Sequence, residues 1–355
     1  MKLIPLYLDT ETYSRTPIQH GTYKYAENAE IIMWQYAIGD GDVKILEGAT
    51  PELFELLNDP QYEIIIHNSM FDRTVIRYVT GLALPVSRIF DTMVCALAHS
   101  LPGSLDKLCE VLGVDKDKAK DKEGKALINL FCKPQKIGKT EEFRADKYSH
   151  PEKWQAFCKY GELDIIAMRE VYKKLPKWNY QGKERELWEL DQKINDRGIC
   201  VDVDLATSAL RAMESAKKDY AEETVALTDG EVTDTSRRDK LLEHILSRYG
   251  ITLPDVTSAR VAGLLDDRDL PEKLKELLHI RLQSNKTSSA KYKRVLQGMN
   301  TDNRLRGLLQ FNGASRTGRW AGRLFQPQNI CRGTVKGEIL ERLISELKYN
   351  AEGLL

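Results

Sequence analysis

The chain has 355 residues, 42% of them apolar and 30% charged, which excludes general disorder and exceeds what a single hydrophobic core of at most about 250–300 residues usually organises. Lysine plus arginine equals aspartate plus glutamate at 53 each, so bulk charge points to neither a nucleic-acid coat nor a membrane-surface protein. The longest apolar runs, such as Ile64-Ile65-Ile66, and the start MKLIPLYLDT match neither a membrane helix nor a signal peptide, which predicts a cytoplasmic protein with no membrane partner.

In chain order, residues 3–8, 31–38, 43–46 and 62–66 read as strands, with helices over 51–57 and 70–79. This alternation predicts an α/β fold built on a mixed sheet flanked by helices. After Phe90 the strand signals fade, and 92–98, 104–112, 119–131 and 151–175 read as helices. Asp91 reads as the N-cap of the 92–98 helix and His67 as a structural histidine. Pro176 stops the long helix, and the stretch beyond a short linker reads as helix-dominated: 184–196, 204–227, 237–249, 258–265 and 271–296. The six cysteines are scattered, with no zinc or disulfide spacing. Charge is uneven, with ten Lys/Arg against one acid between Arg281 and Arg323, a segment suited to a phosphate backbone.

Three short elements place acids together. Asp9-Thr10-Glu11 ends the first predicted strand, and residues two apart project to one side. His67-Asn68-Ser69-Met70-Phe71-Asp72 follows a strand and opens a helix with Asp72 in its first turn. Tyr160 and Asp164 share a helix face at i and i+4, beside the apolar stripe of Phe157, Ile165, Met168 and Val171, so Asp164 points inward. An inward carboxylate is costly unless paired or coordinating a cation. Four such acids form a hard-oxygen donor set suited to two Mg²⁺ or Mn²⁺ ions, the chemistry of phosphodiester hydrolysis. Tyr160 is placed to orient the attacking water or help deprotonate it.

Taken in order, D-x-E, N-x-x-x-D and Y-x-x-x-D resemble the motifs of the ribonuclease-H-like, DnaQ-type 3′-5′ exonucleases of the tyrosine subclass. The resemblance implies that Asp9, Glu11, Asp72 and Asp164 are metal ligands, that Tyr160 positions the water, and that Asn68 contacts the DNA strand near the scissile phosphate.

Further on, Ile194 to Asp202 resembles the opening of the polymerase region of family A DNA polymerases. Lys286-Thr287-Ser288-Ser289-Ala290-Lys291-Tyr292, Gly313-Ala314-Ser315-Arg316-Thr317-Gly318-Arg319 and Gln326-Pro327-Gln328-Asn329-Ile330 resemble that family's thumb and thumb-to-palm motifs, in wording similar to the bacteriophage type. The resemblance implies DNA contacts by Lys286, Ser289, Lys291, Arg316, Thr317, Arg319, Gln328 and Asn329. It implies three segments: a DnaQ-like 3′-5′ exonuclease domain over 1–178, a mainly helical thumb and palm-entry region over 179–332, and a C-terminal helix over 333–355 ahead of a missing palm core. The family's catalytic palm and fingers motifs are absent after Arg332, so this chain is not expected to polymerise by itself.

The expected function is a proofreading 3′-5′ exonuclease of DNA replication, acting with Mg²⁺ or Mn²⁺ on a single-stranded 3′ end beside a primer-template duplex in a bacterial or phage-infected cell. Two alternatives stand beside it: a ribonuclease-D-like RNA exonuclease, and a non-catalytic DNA-binding or assembly subunit of a split polymerase. The last would take a separate palm-fingers polypeptide as partner, docked at Leu308, Leu309, Trp320 and Phe325.

Overall fold

The computed structural model describes residues 3–114, 118–137, 141–284, 289–314, 317–330, 333 and 335–349, with backbone alone at 118–122, 137, 141 and 289. It divides into two compact units: residues 1–200 with 298–330, and residues 201–297 with 331–355.

The first unit is organised on strand β1 (Ile4–Ser14). Its early residues Leu6, Tyr7 and Leu8 are all buried, as expected of a strand covered on both faces. A short helix α1 (Thr22–Ala26) leads into β2 (Ala29–Ile38), which runs antiparallel to β1, and β3 (Lys44–Leu46) turns back along β2. Helix α2 (Pro51–Asn58) starts with proline in its first turn, and the Thr50 side chain accepts from the Leu53 N–H.

Strand β4 (Tyr62–Ile66) then lies parallel to β1. Helix α3 (Ser69–Thr80) follows it and stops at Gly81, whose φ of 77° is the left-handed conformation that glycine tolerates. Strand β5 (Ile89–Asp91), parallel to β4, completes a five-stranded sheet in the order β3-β2-β1-β4-β5. Only β2 runs against the others, so the expected mixed sheet is present.

Helices α4 (Thr92–Ala98), α5 (Leu105–Leu112) and α6 (Lys118–Phe131) precede a small hairpin of β6 (Gln135–Ile137) and β7 (Glu141–Phe143). Helix α7 (Pro151–Lys174) lies against β1 and β2 and buries Phe157, Ile165, Met168 and Val171, the stripe read from sequence. Helix α8 (Lys183–Arg197) and strand β8 (Ile199–Cys200) end this stretch.

The second unit is helical: α9 (Val203–Leu227), α10 (Arg238–Tyr249), α11 (Ser258–Leu265), α12 (Glu272–Ser284), α13 (Ser289–Gly298), apart from its last residue, and, further along, α14 (Glu338–Tyr349). Leu241, Ile245, Val256, Val261, Leu274, Leu277 and Leu278 form its core. Lys348 pairs with Asp202 at 2.8 Å, where α14 meets α9.

The chain re-enters the first unit with β9 (Arg304–Leu305), which pairs with β8, and with the hairpin of β10 (Leu309–Ala314) and β11 (Arg319–Gly322). Asn195 on α8 acts here as a strand edge: its carboxamide donates to the Leu309 carbonyl and accepts from the Leu309 N–H, each at 3.0 Å.

Several expectations change. The first strand runs on to Ser14, so Asp9 and Glu11 lie within it and not at its end. Strand β5 and the pairs β6–β7, β8–β9 and β10–β11 were not expected; apart from β10 these strands have only two to four residues, which leaves little alternation to read. The expected 271–296 helix corresponds to two elements, α12 and α13. Residues 298–330 pack with the sheet unit, whereas the sequence reading grouped them with the helical stretch. Of the expected docking patch, Leu308 is buried, whereas Trp320 is exposed although its indole donates to Asp191 at 2.7 Å, and Leu309 and Phe325 are half-buried.

Candidate active site

The four acids come from three elements: β1, α3 and α7. Asp9 and Glu11 point from β1 toward α7, the direction shared by Tyr7, whose ring meets Tyr172 of α7 edge-on. Asp72 comes from the first turn of α3 and is 3% exposed. It is tied to β1, because its Oδ1 accepts from the Thr10 N–H at 3.1 Å and from the Thr10 hydroxyl at 2.6 Å. Asp164 comes from the middle of α7, and the Tyr160 hydroxyl one turn earlier donates to it.

Electrostatics link them. Burial, then the charges of Asp72, Glu11 and Asp164, hold the Asp9 carboxyl well above its ordinary range, with only the Thr10 N–H opposing. Glu11 is pushed up to about 8 by burial, Asp164 and Asp72, against a Cys132 thiol that donates to it at 3.7 Å. Asp72 is pushed up to about 7 by burial, in spite of the two Thr10 bonds. Like charges brought close together in a partly buried site repel, and such a set is relieved either by protons or by a cation.

Hard carboxylate oxygens in this number fit a divalent ion of the Mg²⁺ type in donor chemistry. Among the described residues, however, no three His, Cys, Asp or Glu side chains already stand as a metal-binding group. Asp72 turns Oδ1 to Thr10, and Glu11 Oε2 accepts from Cys132.

The Tyr160 ring is set by its surroundings. It stacks nearly parallel to Phe157 and lies on Gly124 of α6, where an added Cβ would stand 2.2 Å from Tyr160 Cε2. Burial first, then Asp164, raises the phenol far above its usual value. It stays protonated at neutral pH, which suits it to orienting a water and not to abstracting a proton.

Three contributors escaped the sequence reading. Thr10 and Gly161 sat unread inside the motifs D-T-E and Y-G-E-L-D, and Gln35 carries no motif at all. Gln35 pairs with Asp9 across β1 and β2, so both side chains share a sheet face. It is fully buried, with neither carboxamide atom hydrogen-bonded. It rests on α7 at Gly161, where an added Cβ would meet Gln35 Nε2 at 2.4 Å. His67 is a bridge: Nε2 faces the Gly103 carbonyl at 3.0 Å and Nδ1 the Thr92 hydroxyl at 2.9 Å. A carbonyl only accepts, so the proton sits on Nε2 and the ring is held structurally.

The expected DNA contacts are dispersed. Asn68 occupies the N-cap position of α3, one turn before Asp72, and is half-buried. Thr317, Arg319, Gln328 and Asn329 are exposed on the β10–β11 hairpin and the turn after it, in the first unit, and are not part of the acidic cluster. Lys291 lies on α13 in the second unit. Lys286 and Arg316 fall outside the described residues, as does the side chain of Ser289. Among the described residues no helix is long and apolar enough to cross a membrane.

Comparison with known proteins adds to this geometry. A family model described as 3′-5′ exonuclease matches residues 1–178. A DNA polymerase of Bacillus phage SP02 is 34% identical over 363 residues, covering 99% of this chain and 55% of that protein. The chain therefore spans about half the length of that relative. Among solved structures, the POL domain of Pol1 from M. smegmatis, in complex with DNA primer-template and dNTP, superposes with a TM-score of 0.58 at 14% identity. That match covers 99% of this chain and 55% of the other, and is a likeness of fold. Escherichia coli RNase D, described as an exoribonuclease involved in structured RNA processing, gives a TM-score of 0.33 at 16% identity over 80% of this chain and 70% of its own.

Proposed function

The chain belongs to the 3′-5′ exonuclease family, and from that premise we propose that it removes nucleotides from DNA 3′ ends as the proofreading portion of a phage-type family A DNA polymerase. The observation that carries the reading is the acidic cluster: four carboxylates from β1, α3 and α7, in which burial and then the neighbouring acids raise the proton affinity of Asp9 and Glu11 and burial raises that of Asp72. The phage relative, called a DNA polymerase and matched along nearly this whole chain, supports DNA over RNA as substrate and replication as setting.

Asp9, Glu11, Asp72 and Asp164 would hold two divalent cations, Mg²⁺ or Mn²⁺. Bound cations supply Lewis-acid stabilisation of the charge that builds at a phosphodiester under attack. The chain's own part is positional. Thr10 fixes Asp72 through two hydrogen bonds, and α7 presents Tyr160 and Asp164 on one face. The Tyr160 hydroxyl, kept protonated, orients the attacking water, and the Asn68 carboxamide meets the strand at the mouth of the cleft. Lys286, Ser289, Lys291, Arg316, Thr317, Arg319, Gln328 and Asn329 would contact primer-template DNA, all within the segment 179–332 that follows the exonuclease domain and precedes the C-terminal helix of 333–355.

The test compares release of mononucleotides from 3′-labelled single-stranded DNA and from RNA of the same sequence. DNA hydrolysis that needs a divalent cation and vanishes on Asp9→Ala supports the proposal. A strong preference for RNA, or hydrolysis indifferent to Asp9, overturns it.

A further inference from the structure

Helix α3 is capped by a residue from a different strand. Asn68 holds the N-cap position, where its residue type ordinarily satisfies the free N–H groups of a helix. Here it stands in the left-handed region, φ 65° and ψ 52°, and its side chain caps nothing. Asp91 serves instead. Its Oδ1 accepts from the Asn68 N–H at 3.2 Å, and its Oδ2 accepts from the Ser69 N–H and the Ser69 hydroxyl, each at 2.7 Å.

The same carboxylate caps a second helix. The N–H groups of Met93 and Val94, in the first turn of α4, donate to Oδ1 at 2.9 and 3.1 Å. Topology makes this double use available, because β4 and β5 are parallel with Ile66 beside Asp91, and the helices that follow them begin side by side. Asp91 is 1% exposed and takes five donors. Charge-assisted bonds of this kind are about twice as strong as neutral ones, so the junction is stiff where Asp72 leaves it.

We propose that Asp91 is a positioning residue of the nuclease: by capping α3 in place of Asn68 it sets Asp72 against Thr10 and leaves the Asn68 carboxamide available to the incoming strand. The proposal rests on the exonuclease reading, and the experiment separates the two. If the unaltered chain does not hydrolyse 3′-labelled single-stranded DNA, the exonuclease reading falls. If it does, the positioning role is decided by a cycle of Asn68→Ala, Asp91→Asn and the double variant.

Asp91→Asn keeps the shape but only one acceptor oxygen, so only one of the two helices keeps its cap. Asn68→Ala alone is expected to raise KM about tenfold, the effect of losing a substrate hydrogen bond. Asp91→Asn is expected to raise KM and lower kcat, and in its background Asn68→Ala is expected to change KM by less than about threefold, because the carboxamide is no longer held out for substrate. Thr50→Ala, which uncaps the remote helix α2, is expected to lower Tm and leave both constants unchanged. Should Asp91→Asn fail to fold, Ser69→Ala replaces it in the cycle, removing one bond to Asp91 with a smaller effect of the same sign. Equal KM factors for Asn68→Ala in both backgrounds, no effect of Asn68→Ala at all, or kcat and KM of the Asp91 variant within about twofold of the parent would each overturn the proposal.

Discussion

Asp72 and Arg73 are neighbours on α3, and both are buried, but they face opposite kinds of surroundings. Arg73 meets counter-charge and acceptors: Nη1 donates to Asp196 at 2.7 Å, and Nη2 donates to Asp196 at 3.0 Å and to Gln192 at 2.9 Å, while its buried Nε has no partner. Burial alone would raise the Asp196 carboxyl, but Arg73, Tyr23 and Arg77 bring it below its ordinary range. Asp72 is raised to about 7, by burial first and by the charge of Asp91 to a smaller extent. A charge balanced from within the chain serves the architecture, whereas like charges left unbalanced await something from outside.

That contrast can be broken by mutation, and the largest effect should fall on hydrolysis. Asp9→Ala or Asp164→Ala is expected to lower nucleotide release on the order of a thousandfold without lowering the thermal midpoint, since one repelling charge is gone. A large fall in stability would show that these acids are structural after all. On the other side of α3, Asp196→Ala should destabilise the first unit by about 3–5 kcal/mol in denaturant unfolding, because it strands the Arg73 guanidinium in the interior. Near-normal stability would dissolve the distinction.

Gly161→Ala sharpens the same picture at the sheet face. Alanine favours a helix, yet its Cβ would meet Gln35 at 2.4 Å, so a net loss of about 1–3 kcal/mol is expected from overpacking. Adding Gln35→Ala should restore most of it; no rescue would mean the clash lies elsewhere.

A fourth prediction concerns pH. Burial raises Asp191 to about 6 although Trp320, Gln192 and Asn195 all donate to it. The folded state therefore binds the proton more tightly than the unfolded chain, and this stability is fully present below the ordinary aspartate range and lost as pH rises through about 6. Asp191→Asn should flatten the fall in Tm between pH 4.5 and 7, conditions chosen to span about that range; an unchanged slope would assign the fall to other groups. The smallest effect belongs to Lys348→Ala in the second unit, whose pair with Asp202 is solvent-exposed: a change within about 0.5 kcal/mol is expected.

How much of this was readable in advance follows from how local each feature is. Asp9 and Glu11 are two apart on a strand and Tyr160 and Asp164 four apart on a helix, so their shared faces follow from backbone periodicity alone. The long apolar stripe of α7 was visible for the same reason. Gln35 beside Asp9 depends on the register between β1 and β2, and the Cys132 thiol on Glu11 depends on where α6 packs; neither leaves a local pattern. Asp91 was legible as the cap of α4 but not of α3, because that needs the parallel pairing of β4 and β5. The β10–β11 hairpin was hidden by glycines and arginines that read as a phosphate-binding loop.

The pairing of Ile199 with Leu305 and of Cys200 with Arg304 closes the first unit with residues made about a hundred positions apart. During synthesis, the nascent chain can complete its amino-terminal half only after the later hairpin has left the ribosome, at rates of about 5–20 residues per second. For several seconds the edge of α8 that will receive Leu309 stands open to water, with the Asn195 carboxamide not yet paired to that strand.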